Sequence, residues 1–347
     1  MFRTMSMVAA GGMLRKHAAA GAAAALSSTA GACSGSNVLV TGALGQIGME
    51  LVDVLRANGD NVLATDIRRP HKSSSLGEFA YCDVTRPESL DEVIVNNDIS
   101  VLVHLAGIVS GAAEANPRRA YEVNTLGQYN VISAALAHNL TVFSPSSIAA
   151  FGPTTPRDDV PNSTITEPTT NYGASKVYGE SMGRWGAAKH GLDYRSLRYP
   201  GVISYKAPPG GGTTDYACAA PLAALTDGTY ECYLAPETTM PFSYMPDILA
   251  GTAAFIAADR AALSTTTYNL TSCSFSAAEF MEAIKLRIPN FEVTYKPDLR
   301  QAIADSWPRS IDDSLARADW AWSPRYGLQE IVDDMLENMA KNLEGEA

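Results

Sequence analysis

The chain has 347 residues, of which 46% are hydrophobic and 18% charged, and a formal net charge of −11. That length and apolar content specify a globular protein of one large or two modest domains. The acidic balance without a basic stripe argues against nucleic acid as a partner, and no apolar run is long enough to span a membrane.

Residues 1–36 contain Arg3, Arg15 and Lys16 and no acid, the first acid in the chain being Glu50. Rich in Ala, Gly and Ser, this leader is expected to be a mitochondrial transit peptide, which would place the protein in the matrix. The alternatives are a disordered tail or a secretory signal, the latter the poorer fit because Gly21 interrupts the weakly apolar stretch from Ala18 to Leu26.

Residues 37–41 form an apolar run that reads as a buried parallel strand. Gly42-Ala43-Leu44-Gly45-Gln46-Ile47-Gly48 follows, and then Ile47, Leu51, Val54 and Leu55 recur at helical spacing over 46–58. Strand, glycine turn and helix in this order bind the pyrophosphate of a dinucleotide: the glycines let the backbone approach, and the helix N-terminus attracts the charge. A second strand, 61–66, ends in Asp66, close to the ~20 residues after the glycines expected of the ribose-binding acid. Its carboxylate would repel the extra phosphate of NADP, whereas Arg68 and Arg69 are the opposing signal. The order along the chain favours NAD. A helix cap or turn is the plainer role for Asp66.

Further strands are predicted at 78–82, 101–106, 140–146 and 193–199, with helices near 87–97, 117–138 and 172–189. This alternation predicts an α/β Rossmann-type doubly wound parallel sheet. Residues 37–200 would be the NAD-binding domain. From Gly201 onward, Pro/Gly-rich loops and short helices would form a smaller substrate lobe, 201–347, with some segments returning to the nucleotide domain. Ligands of such sheets bind at the strands' carboxyl ends. Asp83 and Val84 would meet the adenine there, Leu105-Ala106-Gly107 would pass close to the cofactor, Asn124 lies in the next helix, and Ser146-Ser147 ends the fifth strand. Five scattered cysteines and five histidines show no zinc-ligand spacing, so no metal is expected and the cysteines read as buried, reduced thiols.

Tyr172 and Lys176 stand four apart, on one face of the helix at 172–189. An ammonium beside a phenol favours the phenolate, which can take a proton from an alcohol. Tyr-x-x-x-Lys arises by chance in many helices, and the glycine motif upstream is what gives it meaning.

Together these residues resemble the extended short-chain dehydrogenase/reductase family over about residues 37 to 340. The resemblance implies that Ser147, Tyr172 and Lys176 are catalytic, that Ile67 and Arg68 accompany Asp66 at the cofactor, and that Tyr199-Pro200-Gly201-Val202 lies beside the nicotinamide. A narrower resemblance is to the L-threonine 3-dehydrogenase branch of that family. It rests on Gly45-Gln46-Ile47-Gly48, on Arg198 to Ser204, on Gly210 to Ala217, on Arg300 to Pro308, and on the leader. It implies NAD as cofactor, homodimers formed through helices of the nucleotide lobe, and oxidation of the 3-hydroxyl of L-threonine to 2-amino-3-oxobutanoate in threonine catabolism. Ser110, Gly111, Thr213, Thr214 and Trp307 are the candidates, with Ser147 and Tyr172, for holding the amino acid, although Trp307 also reads as a core aromatic. Two other readings stay open: a nucleotide-sugar epimerase of the same family, and a non-catalytic NAD-sensing protein.

Overall fold

The computed structural model describes residues 35–71, 76–206 and 212–345. All but the last two residues of the expected leader, and Gly210 and Gly211, lie outside the described residues.

The strands are β1 (Asn37–Thr41), β2 (Asn61–Asp66), β3 (Phe79–Tyr81), β4 (Val101–His104), β5 (Thr141–Phe143), β6 (Ser146–Ser147), β7 (Asp193–Tyr199), β8 (Gly201–Ile203), β9 (Thr229–Cys232), β10 (Thr239–Tyr244), β11 (Thr267–Asn269), β12 (Cys273–Ser276) and β13 (Glu292–Tyr295). The main sheet runs β11-β7-β5-β4-β1-β2-β3, all parallel, and β6 pairs with the end of β7. Its central strands β1 and β4 read as near-continuous apolar runs because both faces are covered. Val38 and Val40 pack into one layer and Leu39 into the other.

Helices α1 (Gln46–Ala57) and α2 (Pro87–Asn96) follow β1 and β3. After β4 come α3 (Ser110–Ala115), α4 (Pro117–Ala120), a π-helical turn over Tyr121–Leu126, and α5 (Gly127–His138). Next is α6 (Asn171–His190), the longest helix among the described residues. Then follow α7 (Tyr216–Thr226), α8 (Met245–Ala257), α9 (Ala277–Lys285), α10 (Leu299–Asp305), α11 (Ser314–Trp320) and α12 (Leu328–Gly345). The second half of the chain divides in space. β11 lies beside β7 at the edge of the main sheet, and α8 packs on α1. The sheet β12-β10-β8 and helices α7, α9, α10 and α12 share a separate core with Phe151, Phe242, Phe275 and Phe280.

Two expected elements differ. The strand expected over 140–146 stops at Phe143 and resumes as β6, because Pro145 has no N–H to offer the ladder. The helix expected over 117–138 is interrupted by the π turn, and α3 precedes it. The Asn124 side chain accepts from the Ile108 N–H at 2.8 Å and donates to the Ile108 carbonyl at 2.9 Å. The π turn coincides with this clamp, as such turns often do at functional sites.

Candidate active site

The carboxyl ends of the central strands open into one cavity of about 350 Å³. One end of it is the glycine turn. Gly42 has φ +70°, and a Cβ there would sit 2.6 Å from the Ala106 nitrogen, so β1 can reach the β4 tip only with glycine. A Cβ on Gly48 would meet the Gly42 carbonyl oxygen at 2.5 Å. Helix α1 starts without a side-chain cap and with no acid in its first turn, which leaves its first N–H groups to an anion. This cradle fits a pyrophosphate.

Asp66 is buried at the tip of β2. It accepts from the Leu44 N–H at 3.1 Å, the Arg68 N–H at 2.9 Å and the Arg68 Nε at 3.2 Å. Burial raises the carboxyl's pKa, but the Arg68 guanidinium and the two N–H groups outweigh burial and hold it below the usual carboxylate range. Arg68 is thus turned onto Asp66 rather than held apart from it.

Tyr172 and Lys176 lie in the first turns of α6, whose start is capped by Thr170 accepting from the Gly173 N–H at 3.0 Å. A Cβ on Gly173 would lie 2.1 Å from the Ala149 carbonyl oxygen, so glycine here is what lets α6 come down on the segment carrying Ser147. The Lys176 Nζ sits 5.3 Å from the Tyr172 ring centroid and donates to the Pro145 carbonyl at 2.8 Å. The Ser147 hydroxyl accepts from the Ala149 N–H at 3.2 Å, and Ser147 lines the same cavity.

The cavity wall takes in Gly42, Gly45, Gln46, Ile47, Gly48, Leu105, Ala106, Gly107, Asn124, Tyr199, Pro200 and Val202 from the expected cofactor set. From the expected substrate set it takes in Ser110, Ser147, Tyr172, Thr213, Thr214 and Trp307. Ala43, Leu44, Asp66, Ile67, Arg68, Asp83, Val84 and Gly111 do not line it. Asp83 spends its carboxylate on the Thr85 N–H and hydroxyl, and Val84 is core, packed beside Gly127.

Sequence reasoning passed over several wall residues, among them His104, Gln128, Ser144 and Asp215. His104 ends β4, and its Nδ1 lies 2.9 Å from the Thr41 hydroxyl. Burial, helped by the charge of Lys176, pushes its pKa down to about 3, so its ring is neutral. A polar residue closing an apolar strand, in Val103-His104-Leu105-Ala106, was the available signal.

The NAD dependent epimerase/dehydratase family model matches residues 38–271. The chain belongs to that family. It is 45% identical to the mitochondrial L-threonine 3-dehydrogenase of Sus scrofa over 303 residues, which is 86% of this chain and 81% of the relative. Its fold superimposes on L-threonine dehydrogenase from Phytophthora infestans with a TM-score of 0.86 at 46% identity, covering 88% of this chain and 100% of the other. A monomeric L-threonine 3-dehydrogenase from a metagenome matches with a TM-score of 0.84 at 39% identity, covering 88% and 99%.

Proposed function

We propose that this family member oxidises the 3-hydroxyl of L-threonine to 2-amino-3-oxobutanoate with NAD as its cofactor, in the breakdown of threonine. The carrying observation is the meeting of Tyr172, Lys176 and Ser147 at one cavity with the glycine turn. The similarity to threonine dehydrogenases supports the substrate.

The glycine turn, α1 and Asp66 would hold NAD, which supplies the hydride acceptor when bound. Ser147 orients the substrate hydroxyl by hydrogen bonding, and Tyr172 takes its proton. The Lys176 ammonium, fixed by Pro145, stabilises the negative charge that develops on the tyrosine oxygen. Thr213, Thr214, Ser110 and Trp307 offer polar contacts to the amino acid. No arginine lines the cavity among the described residues, which favours a small zwitterion over the diphosphate of a nucleotide sugar.

Purified protein mixed with NAD and L-threonine is expected to generate NADH absorbance. Silence with threonine, together with heat protection by a nucleotide sugar, would replace this reading with an epimerase. NAD binding without any turnover would mark a sensor.

Tyr121, Tyr129 and Trp185, exposed on the π turn, α5 and α6, support a homodimer through that face. Sedimentation of the protein and of Trp185→Glu tests it, a monomer in both being the adverse result. The acid-free leader and the mitochondrial relative support import into the matrix. A fluorescent fusion of residues 1–36 that stays in the cytosol would count against it.

A further inference from the structure

Glu180 follows Tyr172 and Lys176 at the same four-residue step, so the three share one face of α6. It is 2% exposed and pairs with Arg198, which is 4% exposed. The guanidinium grips it as a fork, Nε to Oε1 at 2.8 Å and Nη2 to Oε2 at 2.7 Å. The Ser146 hydroxyl donates to the same Oε1 at 2.6 Å. Arg184, more exposed, comes within 3.7 Å of Oε2.

The rest of Arg198 is equally committed. Its Nη1 donates to the Asn162 carbonyl at 2.7 Å and to the Asn269 Oδ1 at 3.1 Å, and its guanidinium lies 5.1 Å from the Phe151 ring centroid. Ser146 and Arg198 are also register partners on β6 and β7, and the next pair along is Ser147 with Tyr199. One buried carboxylate therefore ties together the helix of Tyr172 and Lys176, the two-residue strand of Ser147, and the strand leading to Pro200.

A buried ion pair is weak evidence for stability, since its desolvation can cancel its attraction. Fully satisfied networks of this kind do fix geometry. β6 needs such a fixture. It has only two residues and follows Pro145, so its own ladder holds it by little. With Ser146 pinned to Glu180, alternation along the strand sends Ser147 the other way.

We propose that Glu180, Arg198 and Ser146 are positioning residues that hold the Ser147 hydroxyl in register with the Tyr172 hydroxyl during turnover. The proposal rests on the reading of Ser147 and Tyr172 as the groups that act on the substrate alcohol.

A double-mutant cycle in the full chain tests it, using Ser146→Ala, Ser147→Ala and the pair, assayed with L-threonine and NAD. Ser146→Ala removes one hydroxyl and leaves Glu180 its Arg198 fork, so it is the variant that keeps the fold; Glu180→Gln is the second. The expected result for Ser146→Ala is a kcat about 10-fold lower, as small misplacements in active sites produce, with the KM for NAD and the melting temperature unchanged. In the Ser147→Ala background the same change should cost less than about 2-fold, because the group it positions is gone. Unchanged kcat in Ser146→Ala overturns the proposal, as does a full extra loss in the double variant. If residual turnover of Ser147→Ala is too low to measure, the split between kcat and KM in Ser146→Ala decides alone. Wild-type turnover in Ser147→Ala would instead overturn the catalytic reading itself, and with it the positioning role.

Discussion

Tyr172 performs its proposed role through one oxygen, while its ring packs beside the core that holds Phe151 and Phe242 and under Lys176. Tyr172→Phe keeps the ring and removes the acceptor of the alcohol proton. Turnover should fall by about 10²–10⁴-fold, the usual worth of general base catalysis, with NAD affinity by titration unchanged; near-normal turnover would rule out the mechanism. Asp66 should impose a preference for NAD, since its ionised carboxyl repels a 2′-phosphate. Arg68 opposes that repulsion, since its guanidinium contacts both carboxylate oxygens. Equal efficiency with NADP in steady-state assays would mean that Arg68 or Arg69 governs the site. His104 adds a pH signature. Its folded pKa, about 3, lies below the ordinary histidine value of about 6.5, so folding favours the neutral ring. Its contribution to stability is complete above the unfolded pKa and is lost as the pH falls from there toward the folded value. The slope per proton reaches about 1.4 kcal/mol per pH unit. Urea unfolding across that range should show a shallower acid loss in His104→Asn than in the parent, and identical slopes would assign the loss to other groups.

At the scale of elements, the Asn124 clamp joins the π turn to the segment between β4 and α3, whose Gly107 lines the cavity and which leads into Ser110. Asn124→Ala should remove the partner of the half-buried Ile108 N–H and carbonyl, at about 1 kcal/mol. The expected result is a lower melting temperature and weaker NAD binding, while loss of stability alone would restrict the clamp to a structural role. This clamp also marks the limit of what the sequence revealed. The apolar runs at 37–41 and 61–66 and the period of α1 were legible because burial on a sheet imposes pattern. The α3 segment, Ser110-Gly111-Ala112-Ala113-Glu114-Ala115, has no such period and shows only as short helix beside the site. The π turn coincides with a contact between residues 16 apart in sequence, which no local pattern encodes. Glycine carried more than the turn motif indicated: Gly173 proved necessary for α6 to reach the Ser147 segment. His104 and Ser144 went unread because each sits in or next to an apolar strand, where a polar residue looks like an exception rather than a wall of the cavity.

At the scale of the molecule, the main sheet is assembled from both ends of the chain. Strands β1 to β5 and β7 come from residues before Pro200, but the edge beyond β7 is closed by β11, Thr267–Asn269. During synthesis the ribosome must therefore make the whole of β8 to β10 and α8 before β7 acquires its last neighbour. Until then β7 presents an unpaired row of backbone groups, the kind of edge that recruits strands from other chains, and its pairing with β11 closes a long loop. Nascent chains stalled before Thr267 should bind holdase chaperones and resist proteolysis less than chains stalled past Asn269, and equal behaviour of the two would show that the edge is protected in another way. The glycine turn between β1 and α1 is therefore synthesised well before the strand that completes the sheet around it.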